Sequence, residues 1–227
     1  MAILYGVGVG PGAPDLITLR ALNLLQSVRH IYYFHAPECD SRALLTVKEH
    51  IPQSANLQGF AMPMHRDATL AKPAYDKAIK ALSANLQQGD DALMLCEGDP
   101  LTYGSFNRIL LAMGDDEAIE IVPGITASLA SAAMVKTPLA MRNQSFAIIP
   151  APLPDEALRI KIKACDGFAL IKLGRHMGRI KRLLLDMGLG DKAFYLEEVG
   201  LENQRMLPLD QAPDDAPYFS LLLVKKD

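Results

Sequence analysis

Short apolar runs alternate along the chain with longer amphipathic stretches, the pattern of strands separated by helices. Residues 3–9 form the first apolar run, which breaks at a glycine cluster; Leu16, Leu19, Leu22 and Leu25 then recur every three residues and predict a helix with one apolar stripe. Further strands are expected over 28–34, 56–60, 92–96 and 119–122. Tyr75, Ile79, Leu82 and Leu86 mark a helix face that stops near Gly89, residues 103–113 read as helical, and 127–135 as a small-residue helix. This alternation implies a largely parallel sheet covered by helices on both faces. Residues 136–144 lose the periodicity and are the expected linker. Beyond them, strands are expected over 146–149, 168–171, 193–196 and 218–224. Met177, Ile180, Leu184 and Met187 form one helix face, and the proline- and aspartate-rich 208–217 a loop. The expected fold class is α/β, with two α/β domains, 1–138 and 139–227.

With 227 residues, half of them apolar and 22% charged, the chain has the balance of a soluble globular protein. The net charge of −3 argues against a nucleic-acid partner, which would call for a basic excess. Cys39, Cys96 and Cys165 are far apart and have neither disulfide-framework nor metal-ligand spacing, so reduced thiols are expected and a bound metal is not. The apolar start lacks a basic lead segment and breaks at glycines within a few residues. Neither a signal peptide nor a membrane partner is expected, and the expected location is cytoplasmic.

Three glycine–proline clusters, at 6–12, 98–104 and 123–124, each follow a predicted strand, the end at which parallel sheets bind ligands. Gly8, Gly10 and Ala13 satisfy G-x-G-x-x-A, but two features oppose a dinucleotide fold. Pro11 and Pro14 remove N–H donors that a pyrophosphate needs, and the second predicted strand ends in aromatics and His35 instead of an acidic residue for a ribose. A phosphate-binding P-loop lacks its G-K-[ST]. Such loops either make tight turns under packed helices or bring main chain close to a ligand.

Gly6-Val7-Gly8-Val9-Gly10-Pro11-Gly12 followed by Asp15-Leu16-Ile17-Thr18-Leu19-Arg20-Ala21, then Gly98-Asp99-Pro100 with Tyr103-Gly104, then Val122-Pro123-Gly124-Ile125-Thr126-Ala127, resemble in order and spacing the motifs of the tetrapyrrole methylases. The resemblance spans the whole chain. Within that family, Met64-His65-Arg66-Asp67, the string from Glu97 to Phe106, and Pro217-Tyr218-Phe219-Ser220 are most similar to the members that methylate carbon-20 of precorrin-2. The segments 174–177 and 197–200 depart from the commoner family wording.

The resemblance implies a homodimeric two-domain enzyme with S-adenosyl-L-methionine held between its domains and a small-molecule tetrapyrrole as substrate. It assigns Pro11, Gly98, Asp99, Thr102, Thr126 and Ala127 to the methyl donor, with Leu173 and Gly200 from the second domain. Asp99 could equally cap the helix that follows it. Arg66 is the first choice for a substrate carboxylate. Most of the basic run Arg175, His176, Arg179, Lys181 and Arg182 should be a solvated helix face.

Methyl transfer from a sulfonium is chiefly a matter of positioning. An electron-rich bridge carbon attacks directly, and a weak base collects the proton afterwards. No His–Asp or Ser–His pairing is legible, which leaves Tyr103, Glu97 and His35 as candidates. Each has a plainer reading: a packed aromatic, a capping carboxylate and a structural histidine. Other readings stay open too: a methylase of another precorrin carbon or of uroporphyrinogen, a relative acting on RNA or diphthamide, or a binding module without turnover. Metal-free precorrin-2 and cobalt-factor II are equally compatible with the sequence.

Overall fold

The computed structural model describes residues 2–63, 68–114 and 118–226. The chain forms two compact units, Met1–Thr126 and Ala127–Asp227.

In the first unit β1 (Leu4–Gly8), β2 (His30–His35), β3 (Asn56–Ala61), β4 (Ala92–Cys96) and β5 (Ile119–Val122) make one sheet, ordered β3-β2-β4-β1-β5. Every pairing in it is parallel. Strands covered on both faces need apolar side chains at successive positions. β4 meets this need: Ala92, Met94 and Cys96 pack to one side, while Leu93 and Leu95 pack to the other. Helices α1 (Leu19–Ser27) and α2 (Arg42–Val47) cover the Leu93 side through Ala21, Leu25, Ala43 and Val47. Helices α3 (Lys72–Gln87) and α4 (Phe106–Met113) cover the Met94 side through Ala78, Leu82, Phe106 and Ile109.

Sequence periodicity located these elements apart from α2, but it misplaced the buried face of α1 and the start of α4. Each three-residue step falls about 60° short of a full helical turn, so apolar positions at 16, 19, 22 and 25 wind halfway round the axis. They cannot all face the sheet. Leu16 lies in a preceding 3-10 turn, Leu19 is 79% exposed, and burial falls to Ala21 and Leu25 at the i, i+4 spacing. Thr18 starts α1 by accepting a hydrogen bond from the Ala21 N–H at 3.1 Å. α4 begins at Phe106, three residues later than expected, because Tyr103 has a left-handed backbone (φ 57°) that no helix tolerates.

In the second unit β6 (Phe146–Pro150), β7 (Gly167–Ile171), β8 (Ala193–Glu197), β9 (Arg205–Pro208) and β10 (Ser220–Lys225) are ordered β6-β7-β10-β8-β9. Only β6 and β7 run parallel; the other pairings are antiparallel. The expectation of a largely parallel sheet therefore describes the first unit alone. Helices α6 (Asp155–Lys163) and α7 (Met177–Asp186) pack on one face through Leu158, Ile162, Ile180 and Leu184. The other face takes α5 (Ala127–Val135), whose Ala130, Ala132, Met134 and Val135 lie on Ala169, Leu196, Leu221 and Leu223. This packing puts the division of the chain before α5, whereas the sequence suggested 138/139; residues 137–144 are irregular but lie inside the second unit. Helices α2 and α6 and strand β9 had no legible periodicity. α2 and β9 are short, and α6 buries only Leu158 and Ile162.

No described helix is long and apolar enough to cross a membrane.

Candidate functional site

Three loops of the first unit leave the carboxyl ends of the adjacent strands β4, β1 and β5, and they meet. The first and second are joined by a reciprocal backbone pair: the Gly10 N–H donates to the Gly98 carbonyl at 3.2 Å and the Gly98 N–H to the Gly10 carbonyl at 2.8 Å. The third presses against both. A Cβ on Gly124 would lie 2.0 Å from the Gly98 carbonyl oxygen and 2.9 Å from the Gly8 backbone; one on Gly8 would lie 2.6 Å from the Gly124 nitrogen. Glycine is required at these positions because backbone sits against backbone, which leaves no side chain to move aside.

Asp99 ties the loops together. Its Oδ1 accepts from the Leu101 N–H at 3.0 Å and from the Thr102 hydroxyl at 3.1 Å, closing an Asx turn, while Oδ2 accepts from the Gly124 N–H at 3.1 Å. The carboxylate expected to hold the methyl donor is thus also the clasp between the second and third loops. Thr102, expected beside the donor, has its hydroxyl turned to that clasp. Gly98 (φ 62°) has room beside it. A Cβ there would find nothing closer than the Ile125 carbonyl oxygen and the Thr126 Cα, both at 3.8 Å. Pro11 and Thr126 are partly exposed and Ala127 is exposed, so the loops keep surface that a ligand can reach.

The candidate bases lie along the same edge of the sheet. Glu97 follows β4 directly and keeps contact with solvent as a residue, yet enough chain surrounds its carboxyl for burial to push the pKa up, with the Arg42 guanidinium opposing. Below the usual glutamate range the carboxyl is protonated in folded and unfolded chains alike, and nothing is gained or lost. As pH rises past that range the unfolded chain ionises first, so folding loses stability until the folded group ionises too. Glu97→Gln should therefore raise the melting temperature slightly at pH 8 and leave it unchanged at pH 4. The gain should be no more than about 0.5 kcal/mol, because water reaches the residue. Thermal denaturation at both pH values checks this; a lowered melting point at pH 8 would mean that ionised Glu97 stabilises the fold.

His35 ends β2, and its Nδ1 lies 2.9 Å from the Ala36 carbonyl oxygen. Tyr103 is 48% exposed, which sets aside the reading of a packed aromatic at a helix start. A bulky residue held at positive φ is uncommon and clusters at functional sites. Cys96, beneath the second loop, is buried. Burial pushes its thiol up strongly, and the Asp99 and Glu97 charges push it further, so it remains neutral packing.

In the second unit the Leu173 side chain is fully buried in the core, which leaves only main chain at that position to meet a ligand. Gly200 (φ 86°) donates its N–H to the Gln204 Oε1 at 3.1 Å. Within the basic run, Arg179 pairs with Asp155 and reaches the Ala151 carbonyl, and Lys181 donates to the carbonyls of Asp210 at 2.8 Å and Ala212 at 3.0 Å. Arg66 and its Met64–Asp67 segment fall outside the described residues. Among the described residues no group of three or more His, Cys, Asp and Glu side chains could hold a metal ion.

Gly8, Gly10 and Gly124 belong to the site by contact; the sequence placed them in its glycine motifs but gave them no role of their own in the site. Their signal was the glycine clustering, whereas their pairing across the loops is tertiary. Arg42 was missed altogether, because it sits in a helix with no legible periodicity.

The family model for tetrapyrrole (corrin/porphyrin) methylases matches residues 3–213. Among similar curated proteins, cobalt-precorrin-2 C(20)-methyltransferase of Salmonella typhimurium is 33% identical, with 98% of this chain and 96% of that protein covered. Precorrin-2 C(20)-methyltransferase of a Sinorhizobium species is 29% identical, covering 97% and 94%. Among solved structures, a cobalt precorrin-4 methyltransferase superposes with TM-score 0.75 at 21% identity, covering 98% of this chain and 94% of that one. A uroporphyrin-III C-methyltransferase from Thermus thermophilus, complexed with S-adenosyl homocysteine, gives 0.70 at 21%, covering 99% and 98%.

Proposed function

Because the chain belongs to the tetrapyrrole methylase family, we propose that it transfers a methyl group from S-adenosyl-L-methionine to carbon-20 of precorrin-2, free or carrying cobalt, in cobalamin synthesis. The observation that carries this reading is the meeting of three loops at adjacent strand ends, where Pro11, Gly98 and Thr126 keep partly exposed surface. Full-length similarity to precorrin-2 C(20)-methyltransferases supports the choice of carbon.

The residues fit a donor of this kind. Gly10 and Gly98 have positive φ and are paired backbone to backbone, and Pro11 and Thr126 beside them in the chain or across the loops are partly exposed. Pro11, Gly98, Asp99, Thr102, Thr126 and Ala127 would hold the donor, with main chain at Leu173 and Gly200 as further contacts. When bound, S-adenosylmethionine supplies a methyl group made electrophilic by its sulfonium. The chain's own work is then to fix that group in line with carbon-20 and to keep water away. A new carbon–carbon bond leaves a proton to be removed at carbon-20. Glu97, whose carboxylate burial makes more basic than an ordinary glutamate, is the first candidate to accept that proton; Tyr103 and His35 are the alternatives along the same edge. Arg66 remains the proposed partner of a substrate carboxylate. A homodimer in the cytoplasm goes with this reading, and light scattering of the purified protein tests the dimer.

The deciding experiment is incubation with methyl-labelled donor and either precorrin-2 or its cobalt form, followed by NMR. Label at carbon-20 is expected. Label at another carbon would redirect the assignment within the family, and failure to bind S-adenosylmethionine would remove the enzyme reading.

A further inference from the structure

We propose that Arg42 binds a side-chain carboxylate of the tetrapyrrole in the crevice where β2 and β4 part, an inference that rests on the tetrapyrrole reading above. The two strands pair only through His30↔Ala92, Ile31↔Leu93 and Tyr32↔Met94. Beyond that point β2 stays with β3 as far as His35↔Ala61, and β4 stays with β1 as far as Gly8↔Cys96. The sheet therefore splits at its carboxyl edge, on the other side of β4 from the β1 and β5 loops. His35 ends one arm of the split, and Glu97 follows the other. Open parallel sheets place ligands outside the carboxyl ends of their strands.

Helix α2 bridges the split by packing on both β2 and β4. Its first turn is fixed by buried Ser41, whose hydroxyl accepts from the Leu44 N–H at 3.3 Å, and Arg42 is the first helical residue. Arg42 is half-buried, and its charge reaches the Glu97 carboxylate. Arg42 thus stands, partly out of water, in the capped first turn of a helix that follows the end of β2 and packs on β4 as well. A guanidinium in that state favours forked hydrogen bonds to a carboxylate. A tetrapyrrole with a carbon presented to the β1, β4 and β5 loops extends beyond them by the width of its ring, and its rim carries carboxylates that need such partners. The other role open to Arg42 is to position Glu97, and the two roles differ in what removing Glu97 does.

The test is tetrapyrrole binding without turnover, followed by visible absorbance as precorrin-2 is titrated into protein saturated with S-adenosylhomocysteine. Arg42→Gln should raise the dissociation constant roughly 10- to 100-fold, the loss expected for a charge-assisted hydrogen bond. Arg42→Lys should recover part of it, and S-adenosylhomocysteine affinity should stay within about twofold in both variants. The same loss should persist when Arg42→Gln is made on top of Glu97→Gln. Unchanged precorrin-2 affinity overturns the proposal, as does a loss that vanishes in the Glu97→Gln background or one matched by weakened S-adenosylhomocysteine binding. If the wild-type protein binds S-adenosylhomocysteine but not precorrin-2, the substrate reading itself falls, which is distinct from failure of Arg42 alone.

Discussion

Gly124→Ala is expected to abolish S-adenosylmethionine binding and to lower stability by about 3–5 kcal/mol, at the upper end of single-substitution effects. The added Cβ would lie 2.0 Å from the Gly98 carbonyl oxygen and 2.9 Å from the Gly8 backbone. Overpacking is usually relieved by side chains that rotate away, at about 1–3 kcal/mol. Here the obstacles are main chain, and Gly98 is itself locked by its reciprocal bonds to Gly10. Relief must come from parting the third loop from the second, which breaks the Gly124 N–H bond to Asp99 and separates Gly98 from Ile125 and Thr126. Gly188→Ala is the control for backbone strain without crowding. Unlike Gly124 it has a positive φ (69°), and no atom lies within 4 Å of its added Cβ, so only backbone strain of about 1 kcal/mol is expected. Calorimetric titration with the donor and thermal denaturation of both variants check this. Wild-type donor affinity in Gly124→Ala would show that close approach of the loops does not shape the donor site.

The second large effect is expected at Asp99. Asp99→Asn keeps size and shape but replaces one acceptor oxygen with an NH2 donor. In either amide orientation a backbone N–H, of Gly124 or of Leu101, then faces another donor. The expected cost is about 1–3 kcal/mol for the lost bond and the unsatisfied groups. Donor affinity should fall at least about tenfold, because a loosened third loop must be re-ordered on binding. Asp99→Ala, which forfeits all three hydrogen bonds, should be worse on both counts. Parallel losses of stability and affinity would mark Asp99 as the clasp that preorganises the site. Lost affinity with an unchanged melting point would make it a direct donor contact only. A lowered melting point with unchanged affinity would confine it to capping its own turn.

Several features of the site were legible in the residues, and their mechanisms differ. The clusters at 6–12, 98–104 and 123–124 could be assigned to strand ends because a run such as Ala92–Cys96, apolar at every position, reads as a strand buried on both faces, and the turn residues mark where it stops. Asp99 was expected either at the donor or as a cap for the helix after it, and its threefold engagement was not foreseen. Two of its partners are local, at 101 and 102, whereas the third comes from 25 residues away. Tyr103 was read as the start of a helix because the apolar period extends to it; the left-handed backbone that delays α4 to Phe106 is imposed by the loop. Leu19 shows the limit of counting by threes: its spacing is helical, but its direction is away from the sheet.

By itself the sequence determined two α/β domains, the strands that carry the glycine loops, and membership of the methylase family, because each depends on residue type and on spacing along the chain. Tertiary structure alone decided that the Gly8, Gly98 and Gly124 backbones touch, that α5 belongs with the second sheet, and that Arg42 stands by the split between β2 and β4. These facts depend on which strands become neighbours. The order β3-β2-β4-β1-β5 brings together ends nearly ninety residues apart, and no local period encodes that distance.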